Sequence, residues 1–247
     1  MKNRRILFSQ IKPVDMSSSY FKLAERFKLD ISFVPFISIE TVDINDFRRQ
    51  RVNILEHTAV IFTSRNTIDH FFQICQELRI TVPEAMKYFC LTEFIANYLQ
   101  KYIVIKRRKL FVGKKNLNEL FDLIKKHKEE RYLIVCSQNR KIEIADFFET
   151  NNIEFTEATF FKVSSNDLSQ LTLKDFGILV FFSPADVISL LDNFPDYNQN
   201  KTLIACFGAS TILTAKEMGL TVDIEAPRPD ALSMTDALEL YLEKIIG

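Results

Sequence analysis

Short runs of β-branched and aromatic residues recur along this chain, and a longer segment with helical period separates almost every pair of them. That alternation constrains the fold more than any other feature. Strands that alternate with helices are expected to pair in parallel, with helices covering both faces of the sheet. The expected strands cover 5–8, 31–37, 59–63, 87–90, 103–105, 132–136, 153–163, 177–182, 203–207 and 221–224. The expected helices cover 18–27, 44–56, 67–78, 93–101, 117–128, 141–150, 185–192, 211–218 and 231–245. Ile142, Ala145 and Phe148 show the three-residue return of one such helix.

An internal repeat narrows the picture. Ala59-Val-Ile-Phe-Thr-Ser-Arg-Asn-Thr-Ile-Asp-His-Phe-Phe72 matches Leu179-Val-Phe-Phe-Ser-Pro-Ala-Asp-Val-Ile-Ser-Leu-Leu191, each a buried strand, a Ser-containing turn and a helix. Residues 89–104 match 206–222 in the same way, with Tyr102 where Gly219 stands. Two extended stretches, 33–40 and 158–165, fit neatly inside neither copy. If they pair, the chain starts in one domain, crosses over, builds the other domain whole and crosses back. The expected class is α/β, with two similar flavodoxin-like parallel-sheet domains joined by a two-stranded linker. The discontinuous domain takes 1–34 and 164–247, the linker 35–40 and 158–163, and the inserted domain 41–157. Such a double crossing is expected to hold a ligand cleft between the domains while permitting hinge motion.

Charge narrows the choice of ligand. Lys plus Arg equals Asp plus Glu at 32 each, so the basic excess of a nucleic-acid binder is missing. The run Lys106-Arg107-Arg108-Lys109 reads as a solvated loop or sheet edge. Four scattered cysteines form no CxxC pair, and Cys90, Cys136 and Cys206 adjoin apolar runs. Buried free thiols in a reducing compartment fit them better than disulfides. His57, His70 and His127 lack ligand spacing, so no metal and no cofactor is expected. The basic start reads as a first strand and not a signal peptide, and no apolar run approaches membrane-spanning length. A cytoplasmic protein with no membrane partner is expected. Neutral charge and the lack of a heptad repeat make a monomer the plain expectation.

Ligands of open α/β sheets bind where strands end and helices begin, because helix N-termini present unpaired amides and a positive dipole end. Three such turns carry small hydroxyl or amide residues: Thr63-Ser64-Arg65-Asn66, Ser183-Pro184 and Gly208-Ala209-Ser210-Thr211. The plainer reading is that Asn66, Ser183 and Ser210 or Thr211 only cap their helices. Repetition of the pattern favours a shared ligand. Arg65 and Arg228 could each hold a carboxylate or lie on the surface. Asp43 with Asp46, and Glu129 with Glu130, read as acidic neighbours on helix surfaces. There is no GxGxxG, Walker A or GxSxG sequence.

Taken together, these residues resemble the uroporphyrinogen-III synthase family. The resemblance rests on Val60-Ile-Phe-Thr-Ser-Arg-Asn66, on Phe181-Phe-Ser-Pro184, and above all on the stretch from Cys206 to Ala226. That stretch is similar to the family's Gly-x-x-Thr, small residues, Gly-Leu-x-Val, then Ala-x-x-Pro pattern. The resemblance implies two α/β domains on a two-stranded linker and a cofactor-free reaction. It implies a small-molecule partner, hydroxymethylbilane, a linear tetrapyrrole with eight carboxylates. The substrate loses its terminal hydroxyl as water, closes through a spiro intermediate that inverts the last ring, and gives uroporphyrinogen III. The residues expected to contact it are Thr63, Ser64, Arg65, Asn66, Thr92, Phe161, Ser183, Pro184, Gly208, Ala209, Ser210 and Thr211, with none assigned as a strong acid or base. Three places depart from the family. Phe161, followed by Lys162, stands where a linker Tyr is common, with Tyr20 or Lys162 as substitutes for its hydroxyl. Leu91-Thr-Glu-Phe94 replaces the second Gly-x-x-Thr, and Ser9-Gln10 replaces Thr-Arg. The loss of the linker Tyr motivates one alternative, a non-catalytic binding or sensor protein for an anionic ligand on the same fold. A flavodoxin-like signalling module is disfavoured, because no strand end carries the Asp cluster that Mg²⁺ needs.

Overall fold

A computed structural model describes residues 4–15, 18–114, 116–138 and 142–246. The chain divides into two compact units, Met1–Ser38 with Ser164–Gly247, and Ile39–Val163. Among the described residues no helix is long and apolar enough to cross a membrane.

The first unit begins with β1 (Arg5–Phe8), α1 (Ser19–Phe27) and β2 (Asp30–Phe33). It resumes with β9 (Ile178–Phe181), α7 (Pro184–Asn193), β10 (Leu203–Phe207), α8 (Ala209–Glu217), β11 (Ile224–Ala226) and α9 (Met234–Ile246). Its sheet runs β11-β10-β9-β1-β2, every pair parallel. The order reverses between β1 and β9, as in a flavodoxin-like sheet. Successive strand residues face opposite sides, so each strand supplies two cores. Ile6, Phe8, Ile178 and Val180 pack with Leu238 and Leu242 of α9. Leu7, Leu179 and Phe181 pack with Val187 and Leu190 of α7 and Ala215 of α8.

The second unit holds β3 (Ile37–Thr41), α2 (Ile44–Arg49), β4 (Ala59–Phe62), α3 (Arg65–Glu77), β5 (Lys87–Cys90), α4 (Glu93–Leu99) and β6 (Leu110–Val112). It continues through α5 (Leu117–Lys125), β7 (Tyr132–Ser137), α6 (Ile142–Thr150) and β8 (Phe155–Ser165). Its sheet runs β3-β8-β7-β4-β5-β6. The strands from β8 to β6 are parallel and reverse order between β4 and β7. β3 lies antiparallel on β8, since Val42 N–H donates to Phe160 O at 3.0 Å and Asn166 N–H to Phe36 O at 2.9 Å. Val60, Phe62, Leu133 and Phe160 pack under α3, while Ile61, Phe89, Tyr132 and Ile134 pack under α5 and α6.

Several expected elements shift. The strand expected at 31–37 is two strands, β2 and β3. The helix expected at 44–56 stops at Arg49 and gives way to a 3₁₀ turn at Ile54–Glu56, because Arg51 takes a left-handed φ of 56°. No strand forms at 103–105. Leu110–Val112, which follows the basic run, takes the place beside β5 instead. The last strand lies at Ile224–Ala226, later than the expected 221–224. Lys141, the expected start of a helix, lies outside the described residues. Cys75, Cys90 and Cys206 are free and buried, but Cys136 is only half-buried. Asp43 caps α2, so it is not on a helix surface. Glu129 and Glu130 follow α5 in a turn, where Lys87 pairs with Glu130 at 2.6 Å.

Candidate functional site

Parallel pairing brings the carboxyl ends of the first unit's strands to one edge. β1 runs out into Ser9 and Gln10, β9 into Ser183, and β10 into Gly208. Ser9 and Ser183 therefore flank the point where the strand order reverses, the usual ligand position in such sheets. Ser183 caps α7. Its hydroxyl accepts the Asp186 N–H at 3.3 Å, while the Asp186 carboxylate accepts the Ser183 N–H at 2.8 Å and the Phe182 N–H at 3.1 Å. Pro184 takes the first helical position, where a missing N–H costs nothing. Asp186 is 2% exposed. Burial pushes its carboxyl above the usual range, against the opposing pull of Ser183, the Phe182 amide and the Ser9 hydroxyl.

α8 starts differently. Gly208 occupies the cap position with a φ of +91°, a conformation that side chains disfavour, and its N–H donates to Ala226 O at 2.6 Å. No side chain caps this helix. Its first-turn amides are the kind that donate to a ligand's oxygens. Ala209 and Ser210 are exposed, whereas Thr211 is buried. Ser210 and Thr211 thus lie inside the helix, and the expectation that one of them caps it is corrected to Gly208. A hydroxyl buried against the sheet serves packing, leaving the backbone to face outward.

The second unit repeats the arrangement. Ser64 caps α3, its hydroxyl accepting the Thr67 N–H while Thr67 Oγ1 accepts the Ser64 N–H, both at 3.2 Å. Asn66, expected as a cap, is the second residue of the helix. Thr63 and Asn66 are half-buried, and Arg65 is exposed. Thr92 caps α4, accepting the Ile95 N–H at 3.4 Å. β4 and β5 are parallel neighbours, so Thr63–Asn66 and Thr92 share one edge. β7 ends on the same edge at Ser137, across the reversal point from Ser64.

Phe161 stands in register with Ser137, level with that edge. Its ring is 7% exposed and stacks on His70 at 4.9 Å. His70 Nδ1 lies 2.7 Å from Thr41 Oγ1, and burial lowers the imidazole's pKa. Phe161 is thus a stacked core residue. Of the two suggested substitutes for a linker hydroxyl, Lys162 is paired and the Tyr20 hydroxyl lies beside Gln10. Lys162 reaches Asp46 at 3.5 Å, and Tyr20 packs edge-on against Phe8 and Phe33. Arg228 pairs with Asp230 at 3.2 Å. Sequence reasoning passed over Asp186 and Ser137. The first had a readable signal, since Ser183-x-x-Asp186 is a capping-box spacing. Ser137 had none beyond its place at the end of an apolar run.

A family model described as uroporphyrinogen-III synthase HemD matches residues 18–236. No curated protein sequence matches the chain. Among solved structures, a mutant uroporphyrinogen III synthase from the extremely thermophilic bacterium Thermus thermophilus is similar at 13% identity and a TM-score of 0.67, covering 97% of this chain and 99% of that one. Uroporphyrinogen-III synthetase from Helicobacter pylori 26695 is similar at 17% identity and a TM-score of 0.62, covering 98% and 99%. At those identities the likeness shows the fold, and the family match carries the identification.

Proposed function

The chain belongs to the uroporphyrinogen-III synthase family, and from that membership we propose that it holds its substrate at the strand-end turns of its two sheets. As an enzyme of that family it cyclises hydroxymethylbilane to uroporphyrinogen III with loss of water and inversion of the terminal ring. The reading of the site rests on one observation: in each unit serine-bearing turns flank the point where strand order reverses, Ser9 and Ser183 in one, Ser64 and Ser137 in the other. Helix N-terminal amides and hydroxyls suit a substrate rich in carboxylates, and they bind it without a basic composition. Thr63, Ser64, Arg65, Asn66 and Thr92 serve from the second unit, and Ser183, Pro184, Gly208, Ala209 and Ser210 from the first. Thr211 contributes through its amide, and Phe161 by holding the wall beside Ser137.

Loss of hydroxide leaves a reactive cation that closes on whichever carbon is held nearest. Positioning can therefore supply much of the catalysis, and no side chain need act as a strong acid. Free cysteines fit a reducing, cytoplasmic setting, and we propose a monomer there. The test couples the purified protein to a source of hydroxymethylbilane and separates the product isomers. The expected product is the type III isomer, and Ser64→Ala and Ser183→Ala should each slow its formation while the protein stays folded. Only the spontaneous type I isomer from the wild type would sink the enzymatic reading. Wild-type rates in both variants would remove these turns from the site.

A further inference from the structure

Arg65 is the first residue of α3, where the helix dipole is positive and a cation is disfavoured. It is exposed, and among the described residues its guanidinium makes no ion pair or hydrogen bond. Asp69, one turn further along the helix, makes no ion pair with it. That carboxylate accepts the Tyr98 hydroxyl at 2.8 Å and the Tyr102 hydroxyl at 2.5 Å. The guanidinium instead lies over two rings, 4.8 Å from the centroid of Phe94 and 5.6 Å from that of Tyr98. Phe94 is 62% exposed and belongs to neither core of its unit. Tyr98 is fixed at its far end by Asp69 and flanked by Lys101, whose ammonium sits 5.4 Å from its ring centroid. The guanidinium therefore lies against two rings with no ion-pair partner among the described residues. Rings restrain a guanidinium while leaving its edge N–H groups free for a planar anion.

We propose that Phe94 and Tyr98 are positioning residues that hold Arg65 for one carboxylate of the substrate, with Asp69 anchoring the tyrosine. This rests on the reading above that the turn after β4 contacts substrate. A guanidinium already held in place loses less freedom on binding a carboxylate, so its hold is tighter. The rings then act on substrate affinity and leave the bond-making step alone.

The experiment measures steady-state kinetics with hydroxymethylbilane for Phe94→Leu, Tyr98→Leu, Phe94→Tyr and Arg65→Ala, and for each leucine variant combined with Arg65→Ala. Exposed cation–π contacts imply a rise in KM of about twofold to fivefold per ring, with kcat kept. Phe94→Tyr should behave as wild type. In the Arg65→Ala background the leucine substitutions should add nothing. Calorimetric binding of uroporphyrin III, the oxidised octacarboxylate product, reads the same contact without turnover and should weaken by similar factors. Thermal midpoints identify any variant that fails to fold, and the exposed Phe94 gives one that folds. Unchanged KM and affinity in both leucine variants would overturn the proposal, as would the same loss with and without Arg65. An active wild type with an indifferent Arg65→Ala would overturn it while leaving the activity standing. An inactive wild type whose uroporphyrin III binding still depends on Phe94 through Arg65 would support it and refute the catalytic reading instead.

Discussion

Replacing Asp186 should cost more stability than replacing Ser183, although both close the same turn. In Ser183→Ala the loss is one long bond, 3.3 Å from the Asp186 N–H, and caps of this kind are worth about 1 kcal/mol. For a chain of this length that lowers Tm by about 2–4 °C. In Asp186→Ala two amides, of Ser183 and Phe182, lose acceptors at 2.8 and 3.1 Å. Each amide left unsatisfied beneath a 2% exposed side chain costs about 1–3 kcal/mol, so the fall in Tm should be at least twice as large. Asp186→Asn separates hydrogen bonding from charge. Its carbonyl can accept from both amides. Burial raises the wild-type pKa, so the protonated acid stabilises the fold below the ordinary carboxylate range. That contribution is lost as pH rises through the raised value. The Tm of Asp186→Asn relative to wild type should therefore rise from acid to neutral pH. The assay is thermal unfolding by circular dichroism across that span. An Asp186→Ala no worse than Ser183→Ala, or an Asp186→Asn that tracks Asp186→Ala at every pH, would refute the reasoning.

Two further outcomes can be checked by the same unfolding assay. A Cβ on Gly113 would stand 2.7 Å from the carbonyl oxygen of Leu91, which is backbone and cannot swing aside, so Gly113→Ala should destabilise by about 1–3 kcal/mol; an unchanged Tm would show that the β5–β6 edge yields freely. Burial lowers the pKa of His70, so the neutral imidazole stabilises the fold above its ordinary range and that contribution is lost as pH falls through the lowered value; His70→Gln should flatten the acid limb of Tm against pH, and an identical limb would refute the assignment.

The alternation of strand and helix periods was legible because each buried strand has to be apolar on both faces, as in Ala59–Phe62 and Ile178–Phe181, where every residue is buried. What local pattern could not show was pairing. Ile103, Val104 and Ile105 read as a strand, and Ile103 and Ile105 do turn inward while Val104 is fully exposed. The position beside β5 nevertheless goes to Leu110–Val112, a choice made by tertiary contacts and invisible in propensity. The site shows the same division. Turns were findable because caps need hydroxyls, but the sequence pointed to Asn66, and to Ser210 or Thr211, where Ser64 and Gly208 are the caps. The Arg65 cradle was hidden for a different reason. It joins residues of two helices whose contact follows from the parallel pairing of β4 and β5.

The two sheets also explain why the repeat covers only part of the chain. Read in space, β11-β10-β9-β1-β2 and β6-β5-β4-β7-β8 correspond strand for strand. The helices agree as well, with α7 and α8 on one face and α1 and α9 on the other, as α3 and α4 stand to α5 and α6. The difference is where the chain is cut. The second unit runs unbroken from β6 through α5 to β7, whereas in the first the corresponding elements, β11 with α9 and β1, stand far apart in sequence. Residue similarity survives in the pairs that share strand-end turns, β4 with β9 and β5 with β10. For β7 against β1 only burial is shared, and burial accepts many sequences. Arg26 of α1 joins α9 through ion pairs to Glu239 and, at 2.6 Å, to Glu243. By register Ser9 is level with Phe181 as Val135 is with Phe62, so Ser137 lies two residues beyond the counterpart of Ser9; each unit nevertheless keeps a serine on both sides of its reversal point, by topology and not by the same stretch of sequence.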